Sequence, residues 1–330
     1  MALPGAVCPD VLLAVIAAKC EPLFCDVDVT DGLVPETEWV RARSAGAEVA
    51  IVVHLYGNAA RVAPVRSIFP APDCLVVDDA AQALGSISDD GQAGALGDVG
   101  LISFGATKHI SLGNAAVLFH DRQMFDQVAA SLRDWSPAPD NVRASAAALF
   151  RSRLESARAG LLPVGNSSAD GFIGILSGME PLLDVPATSA NEDAIQAALV
   201  RYQDLAEARI AMAAQWSSCL AGTGLEPVGM GRGCVPWRYV CRLPGLDWKG
   251  QHKVSEAIRA SSIHVSNWYL PANWFVGQAV STLPGVEMLA REVFQFWVDE
   301  SVSSDSIIRD AAVVRNEVSK LTNTWRQELE

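Results

Sequence analysis

One short stretch decides how this chain is interpreted: VDDAAQALG, at residues 77–85. An apolar run, Leu75–Val77, leads into it and ends in polar residues. A second apolar run, Val99–Ile102, ends in the same way at Ser103. Continuous apolar runs bounded by turn residues are typical of strands that are covered on both faces in a parallel sheet. Ligands bind such sheets at the carboxyl ends of the strands, so we expect these polar side chains to lie at a binding site.

Lys108 follows the second apolar run at a position that favours a loop. Gly105 and Gly113 supply turn residues on either side of it, which is unlike the solvated face of a helix. Asp79 and Gln82 are three residues apart and would face the same way on one helical turn. Taken alone, Lys108 fits an ordinary surface lysine, and Asp79 fits a cap for a following helix. The joint spacing is what points to a site.

The stretch resembles the central motif of a known family when it is taken with GDVG at residues 97–100, Ser103 and Lys108. The family is the DegT/DnrJ/EryC1/StrS sugar aminotransferases, which are pyridoxal-phosphate enzymes of fold type I. The resemblance extends over most of the chain and is strong from Glu21 to Phe119. It implies that Lys108 carries the cofactor as an internal Schiff base, that Asp79 faces the pyridine nitrogen, that Gln82 contacts the ring and that Ser103 binds the phosphate.

The chemistry agrees with those implied roles. An amine attacks an aldehyde only when it is neutral, so a lysine used in this way should be partly desolvated and have a lowered pKa. A carboxylate beside the ring nitrogen favours the protonated pyridinium, which makes the cofactor an electron sink. Once the substrate amine has displaced Lys108, its side chain can move a proton between substrate and cofactor. The same lysine therefore serves twice.

Composition limits the class of protein. The chain has 330 residues, of which 50% are hydrophobic and 19% charged, which is typical of a globular protein with a large and a smaller domain. A net charge of −13 argues against nucleic acid as a partner. The seven cysteines show no C-x-x-C spacing, so we expect reduced thiols in the cytoplasm and no metal site. No apolar run is long enough to span a membrane.

Strands that alternate with short helices predict a mostly parallel sheet. The predicted fold class is α/β, and the resemblance implies the pyridoxal-phosphate transferase fold type I. We expect a large cofactor-binding domain at residues 1–186 and a small C-terminal α/β domain at 187–330. Asp10 is expected to cap the first helix. The predicted helices are 11–18, 35–43, 62–69, 191–220, 251–261 and one from Ser303; the predicted strands are 22–28, 49–57, 75–77, 99–102, 237–243, 263–268 and 293–297.

The chain departs from the family pattern in two places. Members normally have some tens of residues before the segment that resembles Leu3–Pro9, including a turn and helix that hold the cofactor phosphate. We expect that the true start lies upstream, that the cofactor binds poorly, or that another chain completes the site. The family also has a Gly-Glu-Gly-Gly-like turn after its lysine, of which this chain keeps only Gly113. Asn114 tolerates the left-handed backbone angles that such a turn requires.

Three further positions have both a plain and a functional interpretation. Family members use an Asn-x-Arg pair to reach a phosphate across a dimer interface; Asn191 is the candidate here, but no arginine accompanies it, and a plain N-cap is the alternative. His54 ends an apolar strand, and we interpret it as structural. Three tryptophans are able to stack on a sugar or nucleotide, but large aromatic side chains are more typical of the core; they are Trp268, Trp274 and Trp297.

The sequence therefore predicts an aminotransferase that uses pyridoxal 5'-phosphate on Lys108. Its expected substrates are a keto-sugar nucleotide or related cyclic ketone, with glutamate or glutamine as the amino donor, and a homodimer is expected. The alternative is a degenerate, non-catalytic homologue that acts as a partner subunit or binding module. A pyridoxamine-dependent sugar dehydratase is disfavoured, because such enzymes typically replace the lysine.

Overall fold

The computed structural model describes residues 1–133, 135–161, 169–184, 191–267, 269–278 and 282–329. The strands in these ranges are β1 (Ala2–Pro4), β2 (Leu23–Cys25), β3 (Val49–Val53), β4 (Leu75–Asp79), β5 (Ile87–Ser88), β6 (Gly91–Gln92), β7 (Val99–Ser103), β8 (Ala115–Phe119), β9 (Glu226–Pro227), β10 (Tyr239–Arg242), β11 (Val265–Ser266) and β12 (Val293–Phe296). The helices are α1 (Pro9–Ala17), α2 (Glu36–Ser44), α3 (Val62–Ile68), α4 (Arg122–Leu132), α5 (Asp140–Leu161), α6 (Glu192–Val200), α7 (Tyr202–Leu220), α8 (Trp248–Ala260), α9 (Pro284–Glu292) and α10 (Ser304–Leu329).

The central sheet has six strands in the order β2-β1-β3-β4-β7-β8. All neighbours are parallel except β7 and β8, which are antiparallel. Val53 lies opposite Asp79, and Asp79 lies opposite Leu101, so the carboxyl ends of β3, β4 and β7 meet at one edge. The predicted mostly parallel sheet is confirmed, and its polar edge is where the sequence placed the site.

Apolar packing on both faces explains why β3 and β4 form the middle of this sheet. Val52 and Val76 are fully covered. The helices α2 and α3 cover one face, where Trp39 meets Phe69 edge to face with ring centroids 6.4 Å apart. Aromatic pairs in this arrangement contribute beyond the area that they bury. Strands buried on both faces need continuous apolar runs, which is the pattern that the sequence carries.

The C-terminal part forms a second sheet in the order β11-β12-β10-β9, with antiparallel pairing throughout. The helices α7, α8 and α10 pack against it, and Trp216 stacks on Phe296 with centroids 4.6 Å apart. This agrees with the predicted small α/β unit. The predicted domain boundary between residues 186 and 187 lies outside the described residues and stays a prediction.

Asp26, just after β2, ties the central sheet to α9 in the C-terminal part. Its carboxylate accepts hydrogen bonds from the backbone N–H groups of Gly285, at 2.9 Å, and Val286, at 2.8 Å. These are orphan donors of the first helical turn, and a carboxylate also suits the positive end of the helix dipole. A Cβ on Gly285 would overlap the carbonyl oxygen of Val27, so only glycine allows this approach.

Two predictions about the first half were wrong in detail. The helix α1 begins at Pro9 with Cys8 as its N-cap, so Asp10 lies in the first turn and is not the cap. Proline is favoured at the first helical position because its fixed φ suits a helix and it has no N–H to satisfy. Turns rather than a helix follow Asp79, so the helical geometry considered for Asp79 and Gln82 is also wrong.

The predictions for the second half were correct in type and inaccurate in their bounds. The helix predicted over 191–220 is broken at Arg201, whose φ of −100° and ψ of 10° separate α6 from α7. The strands predicted over 237–243 and 263–268 are shorter, as β10 and β11. In the described part of the chain, no helix is long and apolar enough to cross a membrane.

Candidate functional site

Asp79 and Lys108 form the centre of the candidate site. Asp79 is the last residue of β4 and is 5% exposed. One of its carboxylate oxygens, Oδ1, accepts the N–H of Ala81 at 2.9 Å, and in the described part of the chain Oδ2 has no donor. Lys108 lies on the loop after β7, close enough that each charge shifts the pKa of the other. The structure thus brings together the two residues that the sequence assigned to the chemistry.

Burial moves both groups toward their neutral forms. It raises the pKa of Asp79 and lowers the pKa of Lys108, because a charge is poorly solvated there. The opposite charge of the partner offsets part of each shift. A lysine in this state has the neutral amine available closer to physiological pH than a surface lysine does.

Gln82 is fixed by two hydrogen bonds that use both ends of its amide. Its Oε1 accepts the backbone N–H of Tyr56 at 2.8 Å, and its Nε2 donates to the hydroxyl oxygen of Tyr269 at 2.5 Å. Tyr56 has a left-handed backbone, with φ of 61°, which is uncommon for a non-glycine residue. Because both ends of the amide are hydrogen-bonded, Gln82 has a fixed orientation, and Tyr269 joins the site from 187 residues away.

The loop between β7 and β8 carries Ser103 and Lys108 in a fixed turn. The carbonyl of Phe104 accepts the N–H groups of Leu112 and Gly113 at 3.0 and 2.7 Å. Gly113 and Asn114 both have positive φ, as predicted for the turn that replaces the family's glycine-rich one. The hydroxyl oxygen of Ser103 accepts the N–H of Gly105 at 3.3 Å and lies half-buried at the end of β7.

Trp237 and Arg238 were missed by the sequence reasoning, which assigned them to a strand. The indole N–H of Trp237 donates to the carbonyl of Thr107 at 2.7 Å, and the Lys108 amine lies 5.5 Å from the centroid of its ring. Arg238 lies between the rings of Trp237 and Trp297, 4.8 and 4.1 Å from their centroids. The only signal in the sequence is a Trp-Arg pair just before a strand. Such a pair is not part of a spaced motif, so it does not identify a site.

His54 has the structural role that we predicted. Its Nδ1 accepts the N–H of Ala60 at 2.8 Å, so the ring proton lies on Nε2, which donates to Asp78. The other carboxylate oxygen of Asp78 accepts the N–H of Leu96 at 2.7 Å. Burial alone would raise the pKa of Asp78, but the hydrogen bonds that it accepts from His54 and from the N–H of Leu96 outweigh this effect and lower that pKa. This pair fixes the end of β4 beneath Asp79.

Within the described ranges, Asn191 makes no hydrogen bond to the other predicted site residues. It occupies the N-cap position of α6, but its side chain makes no cap hydrogen bond and instead donates to the carbonyl of Leu112. It therefore holds the loop that carries Lys108, and its predicted role in cofactor binding stays a prediction. Of the three tryptophans, Trp274 is fully buried as expected, Trp297 is half-buried against Arg238, and Trp268 lies outside the described residues.

A cavity of about 610 Å³ opens on one side of Lys108. The loop 108–112 forms one wall, α6 and α7 form another, and residues 298–301 close it. Arg209 and Asp299 line it, whereas Asp79 and Gln82 do not. A volume of this size is typical of a small-molecule site. Lys108 thus interacts with the charge of the buried carboxylate and also lines a cavity of small-molecule size.

The cysteines and acidic residues offer no alternative centre within the described ranges. All seven cysteines are free thiols, as predicted. No group of three His, Cys, Asp or Glu side chains in the described part of the chain is arranged to hold a metal ion. Burial raises the pKa of Cys8, near Lys108, to about 12, so its thiol is protonated and unreactive.

The comparisons with known proteins point to one family. Residues 11–162 match the model of the DegT/DnrJ/EryC1/StrS aminotransferase family. The chain is 27% identical over 114 residues to the lipopolysaccharide biosynthesis protein RfbH of Salmonella typhimurium, which covers 34% of this chain and 26% of RfbH. The chain therefore matches about a quarter of the length of its curated relatives.

Solved structures share the fold over nearly the whole chain. The structure of DesI determined in the presence of its TDP-sugar product has a TM-score of 0.69 and 20% identity, and the match covers 99% of this chain and 77% of DesI. The aminotransferase TlmJ from Streptoalloteichus hindustanus has a TM-score of 0.69 and 19% identity, with 97% and 79% covered. At such identities the similarity confirms the predicted α/β fold class. The activity has to be argued from the residues of the site.

Proposed function

We propose that the chain, whose residues 11–162 match the DegT/DnrJ/EryC1/StrS aminotransferase family model, is an aminotransferase that uses pyridoxal phosphate. It transfers an amino group from glutamate or glutamine to a keto-sugar nucleotide or a related cyclic ketone. One observation carries the proposal: a buried carboxylate, Asp79, and a desolvated lysine, Lys108, share one site at the carboxyl ends of the strands. A chain that has no chemistry to perform gains nothing from keeping this pair buried.

The residues present fit pyridoxal phosphate. Lys108 offers an amine of lowered pKa to the aldehyde. Asp79 keeps Oδ2 without a donor in the described part of the chain, which suits a protonated ring nitrogen. The hydroxyl of Ser103 and the turn at Gly105 lie at the end of β7, where a phosphate group can be held. When bound, the cofactor supplies an electron sink for the charge that develops on the reacting carbon.

Each protein group has a defined task in this proposal. Lys108 would hold the cofactor and, once released from it, would accept and return the proton at its Nζ. Asp79, in its ionised form, would keep the ring nitrogen protonated, which is the electron-accepting form of the ring. Gln82, fixed by Tyr56 and Tyr269, would help to position the ring. His54 and Asp78 keep the strand end rigid beneath them.

Two observations support the substrate class that we propose: the similarity of the fold to DesI and the volume of the cavity beside Lys108. DesI was solved in the presence of its TDP-sugar product, and its fold matches 99% of this chain. The cavity of about 610 Å³ beside Lys108 is large enough for a sugar ring. A nucleotide sugar is therefore the substrate class that we propose.

The test is the visible absorption of purified protein incubated with pyridoxal phosphate. The parent should develop a bound-cofactor band that a Lys108→Ala variant lacks, while a Lys253→Ala variant, altered on the exposed face of α8, keeps it. If the parent shows no band at saturating cofactor, the aminotransferase proposal is wrong. A non-catalytic partner subunit or binding module would then be the better description.

A further inference from the structure

Arg209 is a buried cation that the proposed chemistry does not use. It lies in the middle of α7, is 4% exposed, and lines the same cavity as Lys108. Its Nη1 donates to the backbone carbonyls of Trp237 at 3.2 Å and Pro236 at 3.5 Å. Its Nε and Nη2 have no acceptor in the described part of the chain. A guanidinium has five N–H donors in a planar fork, so most of its hydrogen-bonding capacity is left for a ligand.

Arg209 also lacks a carboxylate partner, unlike its neighbour Arg238. Among the described residues, Arg238 pairs with Asp299 at 3.3 Å, whereas no carboxylate lies within 4 Å of Arg209. Burial lowers the pKa of Arg209, and the charges of Asp299 and Glu300 offset part of that effect. A buried charge without a partner is costly, and natural proteins normally supply one. An anion bound in the cavity would be such a partner for Arg209.

We propose that Arg209 binds a carboxylate group of the amino donor within the cavity beside Lys108, an inference that rests on the proposed aminotransferase function. The guanidinium presents two parallel N–H groups to two carboxylate oxygens, a geometry that this pair of groups matches well. The donor's amine is then held on the same side as Lys108, because both residues line one cavity. Arg209 thereby selects amino acids over uncharged amines.

The charges around the cavity favour a carboxylate over the diphosphate of a nucleotide. Two carboxylates, Asp299 and Glu300, line it together with three cations, Lys108, Arg201 and Arg209. Lys108 does not count as a cation when it holds the cofactor, so the two arginines and the two carboxylates cancel, and Arg201 lies exposed at the rim. A donor such as glutamate has a net charge of −1, which the unpaired Arg209 can accept. A diphosphate has more negative charge and would meet Asp299 and Glu300 at close range, which repels it.

His109 does not alter that balance. It lies beside Lys108 in the cavity wall and is buried. Burial, together with the charge of Arg209, lowers the pKa of His109 to about 3, so its ring is neutral at physiological pH. Arg209 is therefore the one fully ionised and deeply buried cation of the cavity wall in the described part of the chain.

The proposal is tested by calorimetric titration of the cofactor-loaded protein with 2-oxoglutarate and 2-oxoglutaramate, the oxo acids that glutamate and glutamine leave behind. The parent should bind at least one of them and should not bind its uncharged methyl ester. Arg209→Gln should raise the Kd roughly 10- to 100-fold, which corresponds to the loss of a hydrogen-bonded charge pair. Arg201→Gln, at the exposed rim, should change it by less than about 3-fold.

Arg209→Lys is the control for a folding defect, because it keeps a positive charge and a donor for the carbonyls of Pro236 and Trp237. It should raise the Kd about 3- to 10-fold, since an ammonium group cannot bind a carboxylate through a planar fork. Each variant should show the same cofactor absorption band as the parent. If the parent itself lacks this band, the proposed aminotransferase function has failed, which is a different result from failure of the Arg209 proposal. The inference is overturned if Arg209→Gln binds the oxo acid as tightly as the parent. It is equally overturned if a loaded parent binds neither oxo acid, or binds thymidine diphosphate at Arg209 in their place.

Discussion

At the scale of single residues, burial decides what the candidate site can do. Lys108 loses hydration and is pushed toward the neutral amine, while Asp79 is pushed toward the neutral acid. Each keeps the other partly charged, so the pair is tuned by its environment and by mutual attraction. The pH at which Lys108 becomes a nucleophile should therefore depend on Asp79.

Asp79→Asn should lower the pKa of Lys108 further. The amide oxygen introduced by this substitution would still accept the N–H of Ala81, so the backbone is retained, but the negative charge that raises the pKa of Lys108 is gone. The neutral fraction of an amine rises with pH through its pKa, so the pH midpoint of cofactor attachment should move to lower pH. Stopped-flow absorption at a series of pH values measures it, with Asp73→Asn, on an exposed turn, as the control. A midpoint that is unchanged or higher in Asp79→Asn would contradict the account.

The sequence identified those site residues that share a local motif. Asp79, Gln82, Ser103 and Lys108 lie within one stretch whose strands and turns can be recognised from apolar runs and glycines. Trp237 and Tyr269 reach the same region from the C-terminal part, 130 residues from Thr107 and 187 from Gln82. Nothing in their own neighbourhood marks them, because the contacts are made only when the two parts of the chain pack together.

At the scale of the helices and strands, most differences from the sequence predictions concern where an element begins, ends or is interrupted. Apolar periodicity correctly located β3, β4 and α3, whose burial is local to the central sheet. It placed the N-cap of α1 at Asp10, because an acidic residue before an apolar run is a usual cap; Cys8 is the N-cap instead, and Pro9 begins the helix. It also joined α6 to α7, since the apolar spacing continues through Arg201 while the backbone does not.

The cap of α9 offers a test at this scale. Asp26→Ala removes the acceptor of two N–H groups in the first turn of α9, and it should lower the free energy of unfolding by about 1–3 kcal/mol. Urea denaturation measures the loss. Asp126→Ala, which removes an exposed ion pair with Arg122 on α4, is the control and should cost less than about 0.5 kcal/mol. Equal losses in the two variants would show that Asp26 does not cap the helix.

At the scale of the whole molecule, the two largest apolar cores are distributed differently along the chain. The largest core contains residues from both ends, including Leu3, Leu12, Trp274 and Val286. The second core lies wholly between Trp216 and Leu321 and belongs to the C-terminal sheet. The first part of the chain is therefore not self-sufficient, although its sheet is complete without the second part.

This distribution predicts the behaviour of separate fragments. Residues 1–184 expressed alone lack the part of the largest core contributed by Trp237, Trp274 and Val286, and should not unfold cooperatively. Residues 191–330 keep the second core and should retain more of their native circular dichroism. Urea titration followed by circular dichroism compares both fragments with the full chain. A cooperative transition in the first fragment alone would mean that the predicted boundary near residue 186 separates two independent domains.

The central claim is that Lys108, and no other lysine, holds the cofactor. The chain has five lysines, so reduction of the cofactor-loaded protein with borohydride, followed by peptide mass spectrometry, can assign the attachment to one of them. The account predicts that the peptide containing Lys108 gains the mass of the reduced cofactor and that the peptides with Lys19, Lys249, Lys253 and Lys320 do not. Attachment at any of those four, or at none of the five, would contradict it.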